Sequence, residues 1–392
     1  MNTEPKKVMV IGGGIAGLTA AWELSRFNVD VELVEKTCFL GGHAIQFCCK
    51  ATDECMQCGA CSAEEMLKNV ADEPKIKVRL ATEIEKINQN GRFSVTLTKS
   101  SNPVGNVKDG IIKGYSKNNS PLYVVVDKNN CSNAPKGAVE FDKIGFSGGI
   151  EVDAILLASG FKPFDAEIKG TYGYNKFNNV ITGLDLERII RENSDVVRPS
   201  DGAKPQKIAF IQCVGSRDER LENLWCSQVC CSYALRMAEV IKHKNTDADI
   251  AVFYMDIQNT GKDFSAFHEK CKSNLRFIRN IPVDVYPMED DKLKMRYMND
   301  DDGLPVDETF DLVVLSVGIM PGSDNNMLSK SLGVNLNSDG FFAGMDILNR
   351  TSTSKNGIFV AGTAEGPKTI PASMAHAGQA AGEVMKYLGV SK

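Results

Sequence analysis

Apolar and polar positions alternate along this chain in one rhythm that occurs twice: an apolar strand, a glycine-bearing turn, a helix, and a second apolar strand. The first copy is KKVMVIGGGIAGLTAAWELSRFNVDVELVEK, which predicts a strand at Lys7 to Ile11, a helix from Ile15 to Phe27 and a strand at Val31 to Val34. The second is PQKIAFIQCVGSRDERLENLWCSQVCCSYALRMAEVIKHKNTDADIAVFYMDIQ, with strand at Lys207 to Gln212, helix at Ser227 to Lys242 and strand at Ile250 to Tyr254. Short, near-continuous apolar runs such as VDAILLASG, DLVVLSVGIM and NGIFVAG suit parallel strands buried on both faces. The last of these, Ile358 to Ala361, leads into a helix beginning near Pro371. The polar stretch from Lys99 to Glu151 interrupts the rhythm. The acidic MEDDKLKMRYMNDDDGLPVDE reads as a solvated hairpin, with partner docking as the alternative. These elements predict an α/β protein.

The chain has 392 residues, 43% hydrophobic and 24% charged, enough for two domains around sizeable cores. A net charge of -5 with dispersed basic residues argues against a nucleic-acid partner and a polybasic membrane patch. No apolar run approaches the ~20 residues of a spanning helix. The start runs straight into a strand without an apolar signal core, so a cytoplasmic location is expected, with membrane contact only through another protein chain.

In the first copy Gly12, Gly14 and Gly17 form GxGxxG between strand and helix. Glu35 stands 18 residues beyond Gly17, at the end of the second strand, where it is placed to bind an adenosine ribose. The alternative is a turn required by packing, with no ligand. Lys36 follows the ribose-binding acid. Gly41 and Gly42 then resemble the second glycine pair of two-dinucleotide-binding flavoproteins, which selects FAD over NAD. Two further segments resemble that fold: the return through Ala158, Ser159 and Gly160, and the closing Gly362, Thr363, Ile370 and Pro371. Thr363 stands where those proteins usually carry aspartate. The small residues Ala372, Ala375, Ala377, Gly378, Ala380 and Ala381 let the last helix sit close to its neighbours. The resemblance implies a FAD domain in two parts, 1–163 and 311–392, with an inserted Rossmann-like domain at 164–310.

Twelve cysteines are too many for an ordinary reduced cytosolic core, and ten of them fall within Cys38 to Cys61 and Cys213 to Cys231. In the inserted domain only Gly215 remains in the turn where a nicotinamide dinucleotide would lie. Cys213, Cys226, Cys230 and Cys231 stand there instead, spaced Cx12Cx3CC. Thiolates bind iron–sulfur clusters or zinc. The spacing lacks the paired CxxC of structural zinc, which favours a cluster and leaves zinc and redox thiols as alternatives. Near the first glycines, Cys55, Cys58 and Cys61 form CxxCxxC, with Cys48 or Cys49 available as a fourth thiolate and Cys49 taken here. A second [4Fe-4S] site, zinc, a redox-active thiol pair and packing cysteines all remain open for this segment. His43, His243, His268 and His376 show no ligand spacing.

The motif QCVGSRDE…WCSQVCCSYA, followed by FYMDIQNTGKDFSAF, DLVVLSVGIMP, DGFF and GIFVAGTAEGPKTIPASMAHA, resembles the flavin-bearing A-type subunit of heterodisulfide reductase over nearly the whole chain. The resemblance implies FAD and a [4Fe-4S] cluster on Cys213, Cys226, Cys230 and Cys231. The family's lysine after the motif corresponds here to Arg236, which, with Lys368, becomes a flavin-neighbour candidate. Longer relatives add ferredoxin-like modules. A compact chain of this kind resembles the flavin subunit of quinone-interacting membrane-bound oxidoreductase complexes of sulfate reducers. That likeness implies three partners at the inner face of the cytoplasmic membrane: a second related flavin and iron–sulfur subunit; one membrane subunit that bears haem and reacts with quinone; and adenylylsulfate reductase as a transient partner.

Overall fold

A computed structural model describes residues 5–101, 110–115, 121–126, 145–258, 262–299 and 302–390. Cys131 lies outside the described residues. The chain forms two compact units: Met1–Gln46, Gly59–Lys162 and Pro321–Lys392 make the first, and Phe47–Cys58 with Pro163–Met320 the second.

The first unit is built on a five-stranded sheet in the order Ile358–Val360, Ala154–Leu157, Lys7–Ile11, Asp30–Val34 and Ile76–Arg79, every pair parallel. Its middle strands carry continuous apolar runs, Ala154–Leu157 and residues 8–11, because both faces are covered. On one side Val8, Val10, Leu33 and Leu156 pack with Leu18, Ala21 and Leu24 of the helix Ile15–Ser25 and with Ala377, Ala380, Ala381 and Val384 of the helix Ile370–Leu388. The small residues of the last helix let these two helices sit side by side. On the other side Met9, Ile155 and Leu157 meet Phe93, Val95 and Leu97 of the antiparallel strand Arg92–Lys99. The last helix starts at Ile370, capped by the Thr369 hydroxyl, so Pro371 is its second residue and forgoes an N–H that has no intrahelical partner.

The second unit repeats the plan. Its parallel sheet runs Val180–Thr182, Leu312–Val317, Lys207–Val214, Asp249–Phe253 and Arg276–Ile278. The strand Leu312–Val317, read from sequence as the start of the returning FAD domain, thus lies in the second unit's sheet, between strands whose inward residues it matches. The helix observed over Cys230–Lys244 packs Ala234, Leu235 and Ala238 on Ile208 and Phe210. It begins three residues later than its apolar pattern suggests, because Ser227 to Val229 form the turn that presents the cysteines. The acidic segment does form antiparallel strands, Leu293–Met298 against Pro305–Phe310, extended by Val285–Pro287.

Candidate functional site

In the first unit the glycine turn is shaped by contacts that exclude a side chain. A Cβ on Gly12, at φ +107°, would stand 2.3 Å from the Ala158 carbonyl oxygen, and one on Gly17 would stand 1.8 Å from the Gly12 carbonyl oxygen. Over Gly14 the nearest atom to such a Cβ is the Cα of Gly42, at 4.0 Å. The second glycine pair is docked on the first turn: Gly41 N–H donates to Gly13 O at 2.8 Å, and Gly14 and Gly41 form an isolated parallel bridge. The helix Ile15–Ser25 has no side-chain cap at Gly14. Its N-terminus, with its positive dipole end, is therefore presented at a turn made of bare backbone, as a pyrophosphate requires.

Glu35 is buried beside this turn. One carboxylate oxygen accepts from Gly13 N–H at 2.7 Å and the other from the Thr37 N–H and hydroxyl, both at 2.8 Å. Those bonds fix its orientation and leave acceptor capacity for ribose hydroxyls. Lys36 pairs with Asp324. Ser159 carries a buried hydroxyl with no protein partner, and Gly160 is left-handed at φ +76°. Gly362, at φ +64°, approaches the first helix so closely that a Cβ would lie 2.5 Å from Ala16 Cβ, and its N–H donates to His376 Nδ1 at 3.1 Å. Thr363 lies in the short turn Gly362–Ala364, half-buried. Lys368 is engaged by Glu365, a buried carboxylate that also binds Arg350. Burial lowers the Lys368 ammonium from its usual range, against the raising effect of Glu365.

In the second unit the strand Lys207–Val214 breaks its register between Ile211 and Val214, and Cys213 adopts φ +57°. Gly215 is explained by packing: a Cβ there would strike the Phe164 ring at 2.0 Å. The turn that corresponds to the first unit's glycine cradle is therefore closed here by an aromatic ring. Cys230 and Cys231 open the helix Cys230–Lys244, which has no side-chain cap. Its dipole favours negative charge at that end. Cys226 Sγ accepts the Gln228 N–H at 3.3 Å, and Gln228 is itself left-handed at φ +59°. Non-glycine residues in this region concentrate where a backbone is shaped around a site.

The four thiols feel one another. Burial pushes Cys213 up to about 11, with further upward pressure from Cys231 and Cys226 and relief from the Arg217 guanidinium that bonds it. Burial likewise raises Cys230, reinforced by Cys213, Cys231 and Cys226, and it raises Cys231. As thiols, Cys230 and Cys231 point at the carbonyls of Val317 and Asp256 at 3.8 and 4.0 Å. Among the described residues, no three His, Cys, Asp or Glu groups converge as they would on a single ion. A four-iron cluster is held from its corners, and its thiolates stand farther apart than the ligands of one ion. The fit is supported by two buried groups in a cavity of about 110 Å³ that Cys213 lines with Lys169, Tyr172 and Arg217: the Gln212 amide and the Ser216 hydroxyl, neither with a partner in the protein.

The segment Phe47–Cys58 belongs to this unit. Cys48 N–H and Sγ both engage Glu187, at 2.9 and 3.0 Å, and Glu187 pairs with buried Lys50, whose ammonium also donates to Cys48 O at 3.1 Å. Burial, then the Glu187 charge, raises Cys48 to about 12, so this thiol keeps its proton. Cys49 and Cys55 instead accept backbone N–H groups, from Ala51 at 3.5 Å and Gln57 at 3.4 Å. Arg236 Nε donates to Met56 O at 2.8 Å, and burial lowers its guanidinium from the usual range, against the raising effect of Cys58, Cys271 and Cys55 nearby. Within this unit Arg236 is thus a clamp on the cysteine segment. Cys58 ends that segment, half-buried, while Cys61 opens the helix Cys61–Ala71 of the first unit, exposed. Sequence reasoning missed Glu187, Lys50 and Gln212. The first two carry no local signal, and the third reads as an ordinary strand residue.

A family model for an NAD(P)-binding Rossmann-like domain matches residues 10–48. The A-type subunit of the H(2):CoB-CoM heterodisulfide,ferredoxin reductase of Methanothermobacter thermautotrophicus is 31% identical over 417 residues, spanning 96% of this chain and 63% of that protein. Its counterpart in the H(2)/formate:CoB-CoM heterodisulfide,ferredoxin reductase of Methanococcus maripaludis is 33% identical, spanning 97% and 64%. Over nearly its whole length the chain is similar to heterodisulfide reductase A-type subunits. It spans a little under two thirds of the length of these two relatives, and 67% of a protein of Archaeoglobus profundus named for its likeness to the same A-type subunit, at 29% identity. The fold of the chain is that of thioredoxin reductase: the T. acidophilum enzyme aligns with a TM-score of 0.58 at 14% identity, over 98% of this chain and 99% of that one. The flavoprotein disulfide reductase RclA of Escherichia coli aligns at 0.55 and 12% identity, over 98% of this chain and 71% of that one. Both agree with the two-dinucleotide-binding plan. No helix among the described residues is long and apolar enough to cross a membrane.

Proposed function

We propose that this chain is an electron-transferring flavin and iron–sulfur subunit with no nicotinamide site of its own. The single observation that carries the reading is the exchange, at matching ends of two like sheets, of a bare glycine cradle for four thiols around a turn that Phe164 closes. FAD fits the first unit through Gly12, Gly14, Gly17, Glu35, Gly41 and Gly42, with Ala158, Ser159, Gly160, Gly362, Thr363, Ile370 and Pro371 completing its surroundings. Lys368, engaged by Glu365, and Arg236, bonded to Met56 O, stay candidate flavin neighbours. A [4Fe-4S] cluster on Cys213, Cys226, Cys230 and Cys231 supplies one-electron exchange, which a flavin complements by exchanging one or two. The protein's part is to bury the thiolates, set a helix N-terminus against their charge, and hold Cys226 and Cys213 through Gln228 N–H and Arg217. The amide-to-sulfur bonds at Cys49 and Cys55 support a second thiolate site in the segment Phe47–Cys58.

The relatives are named as subunits of larger reductases, and we place this chain in such an assembly. The resemblance of its motifs to the flavin subunit of quinone-interacting complexes favours a membrane-associated complex linking menaquinone to adenylylsulfate reductase, with a second flavin and iron–sulfur subunit and a haem-bearing membrane subunit beside it. Native purification from solubilised membranes, with identification of the co-purifying chains and flavin, iron and haem analysis, tests this. Co-purification with a hydrogenase and disulfide-reducing subunits would favour a heterodisulfide reductase complex instead. Recovery of a chain free of iron, with Cys55 and Cys58 as a reducible dithiol, would favour a thiol oxidoreductase.

A further inference from the structure

Gln212 is 1% exposed, and both its amide oxygen and its amide nitrogen lack a partner in the protein; the hydroxyl of Ser216, also 1% exposed, lacks one too. A buried polar group left unsatisfied forfeits its hydration without compensation, so two such side chains together imply a partner that the polypeptide does not supply. Both line the cavity of about 110 Å³ that Cys213 also lines. Strand alternation gives the direction. Ile208 and Phe210 face the helix Cys230–Lys244, packing with Ala234, Leu235 and Ala238, and Gln212 is the next position on that face. The helix runs back along the sheet from its start at Cys230, so the end of the strand lies beside the two adjacent cysteines rather than beside the helix's apolar middle.

We propose that Gln212, assisted by Ser216, donates a hydrogen bond to the cluster held by Cys213, Cys226, Cys230 and Cys231, and thereby sets its reduction potential. This rests on the reading that those four cysteines hold a [4Fe-4S] cluster. Gln212 is a positioning residue: it ligates no iron, and its Nε2–H groups are the donors. A reduced cluster carries one more negative charge than the oxidised one, so a donor aimed at it stabilises the reduced form. Removing the donor makes the cluster harder to reduce.

The test uses the full chain with its cofactors. Iron and acid-labile sulfide are measured first, and the centre at issue is identified as the paramagnetic signal that Cys230→Ala abolishes. Potentiometric titration of that signal in Gln212→Leu should show a lower midpoint potential, by about tenfold in the one-electron reduction equilibrium, or about 59 mV. Ser216→Ala should shift it in the same direction by less. Gln212→Met, similar in length, decides by the same potential if the leucine variant loses iron. An unchanged potential in iron-loaded Gln212 and Ser216 variants overturns the proposal and assigns the two side chains to trapped water. A wild-type chain without iron or sulfide overturns the cluster reading itself.

Discussion

Replacing Glu187 with alanine removes the one carboxylate that receives the Lys50 ammonium, the Cys48 amide and the Cys48 thiol. The side chains of Lys50 and Glu187 are 4% and 7% exposed, so the remaining ammonium cannot simply rehydrate where it stands. Breaking one side of a buried ion pair costs about 3–5 kcal/mol, which for a unit of this size lowers the melting temperature by roughly 6–20 °C. The chain has two tryptophans, Trp22 in the first unit and Trp225 in the second. In a Trp22→Phe background, Trp225 fluorescence during urea unfolding therefore reports the second unit alone. The expected result is a midpoint shift for Glu187→Ala corresponding to at least about 3 kcal/mol, mostly recovered in a Glu187→Leu, Lys50→Met double variant, because an apolar pair of similar size leaves no charge buried. A loss below about 1 kcal/mol, or single-variant losses that simply add in the double variant, would refute the reasoning.

Gly17→Ala should abolish FAD retention, since its Cβ would stand 1.8 Å from the Gly12 carbonyl oxygen; flavin content of the purified variant checks this, and wild-type stoichiometry would contradict it. Cys230→Ala should cost one cluster's iron and sulfide while leaving FAD bound, because the flavin motifs lie in the other unit. His376 is held at about 4 rather than 6.5, first by burial and then by the Lys368 charge. The unfolded chain takes up a proton near pH 6.5 that the folded chain refuses, so this contribution to stability is fully present above pH 6.5 and is lost as pH falls towards 4. Denaturation midpoints measured across that window should fall with pH, and His376→Gln should flatten the slope.

The elements built from local pattern were legible. Strand Lys7–Ile11, the glycine turn and the following helix form one contiguous unit with its own periodicity, and the second copy repeats it. The four cysteines of the Cx12Cx3CC motif stand at the end of one strand and at or just before the start of the helix Cys230–Lys244, places that are neighbours in any such unit. Partnerships across long sequence distance were not legible. Glu187 lies 139 positions from Cys48, inside an ordinary amphipathic helix, and nothing around it signals a buried charge. The run Leu312–Val317 is equally apolar whichever parallel sheet it enters, so composition did not reveal its unit. Gly215 looks in sequence like the remnant of a phosphate turn. Only the Phe164 ring against its Cα shows that the glycine serves packing.

The central claim is that electrons enter and leave this chain through flavin and iron–sulfur centres, without a nicotinamide site. Anaerobic titration of the purified, fully loaded protein tests it most directly, with flavin absorbance and low-temperature paramagnetic resonance followed together. The account predicts one FAD and at least one four-iron cluster per chain, both reduced by a low-potential one-electron donor, and no saturable reduction by NADH or NADPH. Stoichiometric flavin reduction by either nucleotide in a chain lacking iron and sulfide would contradict it.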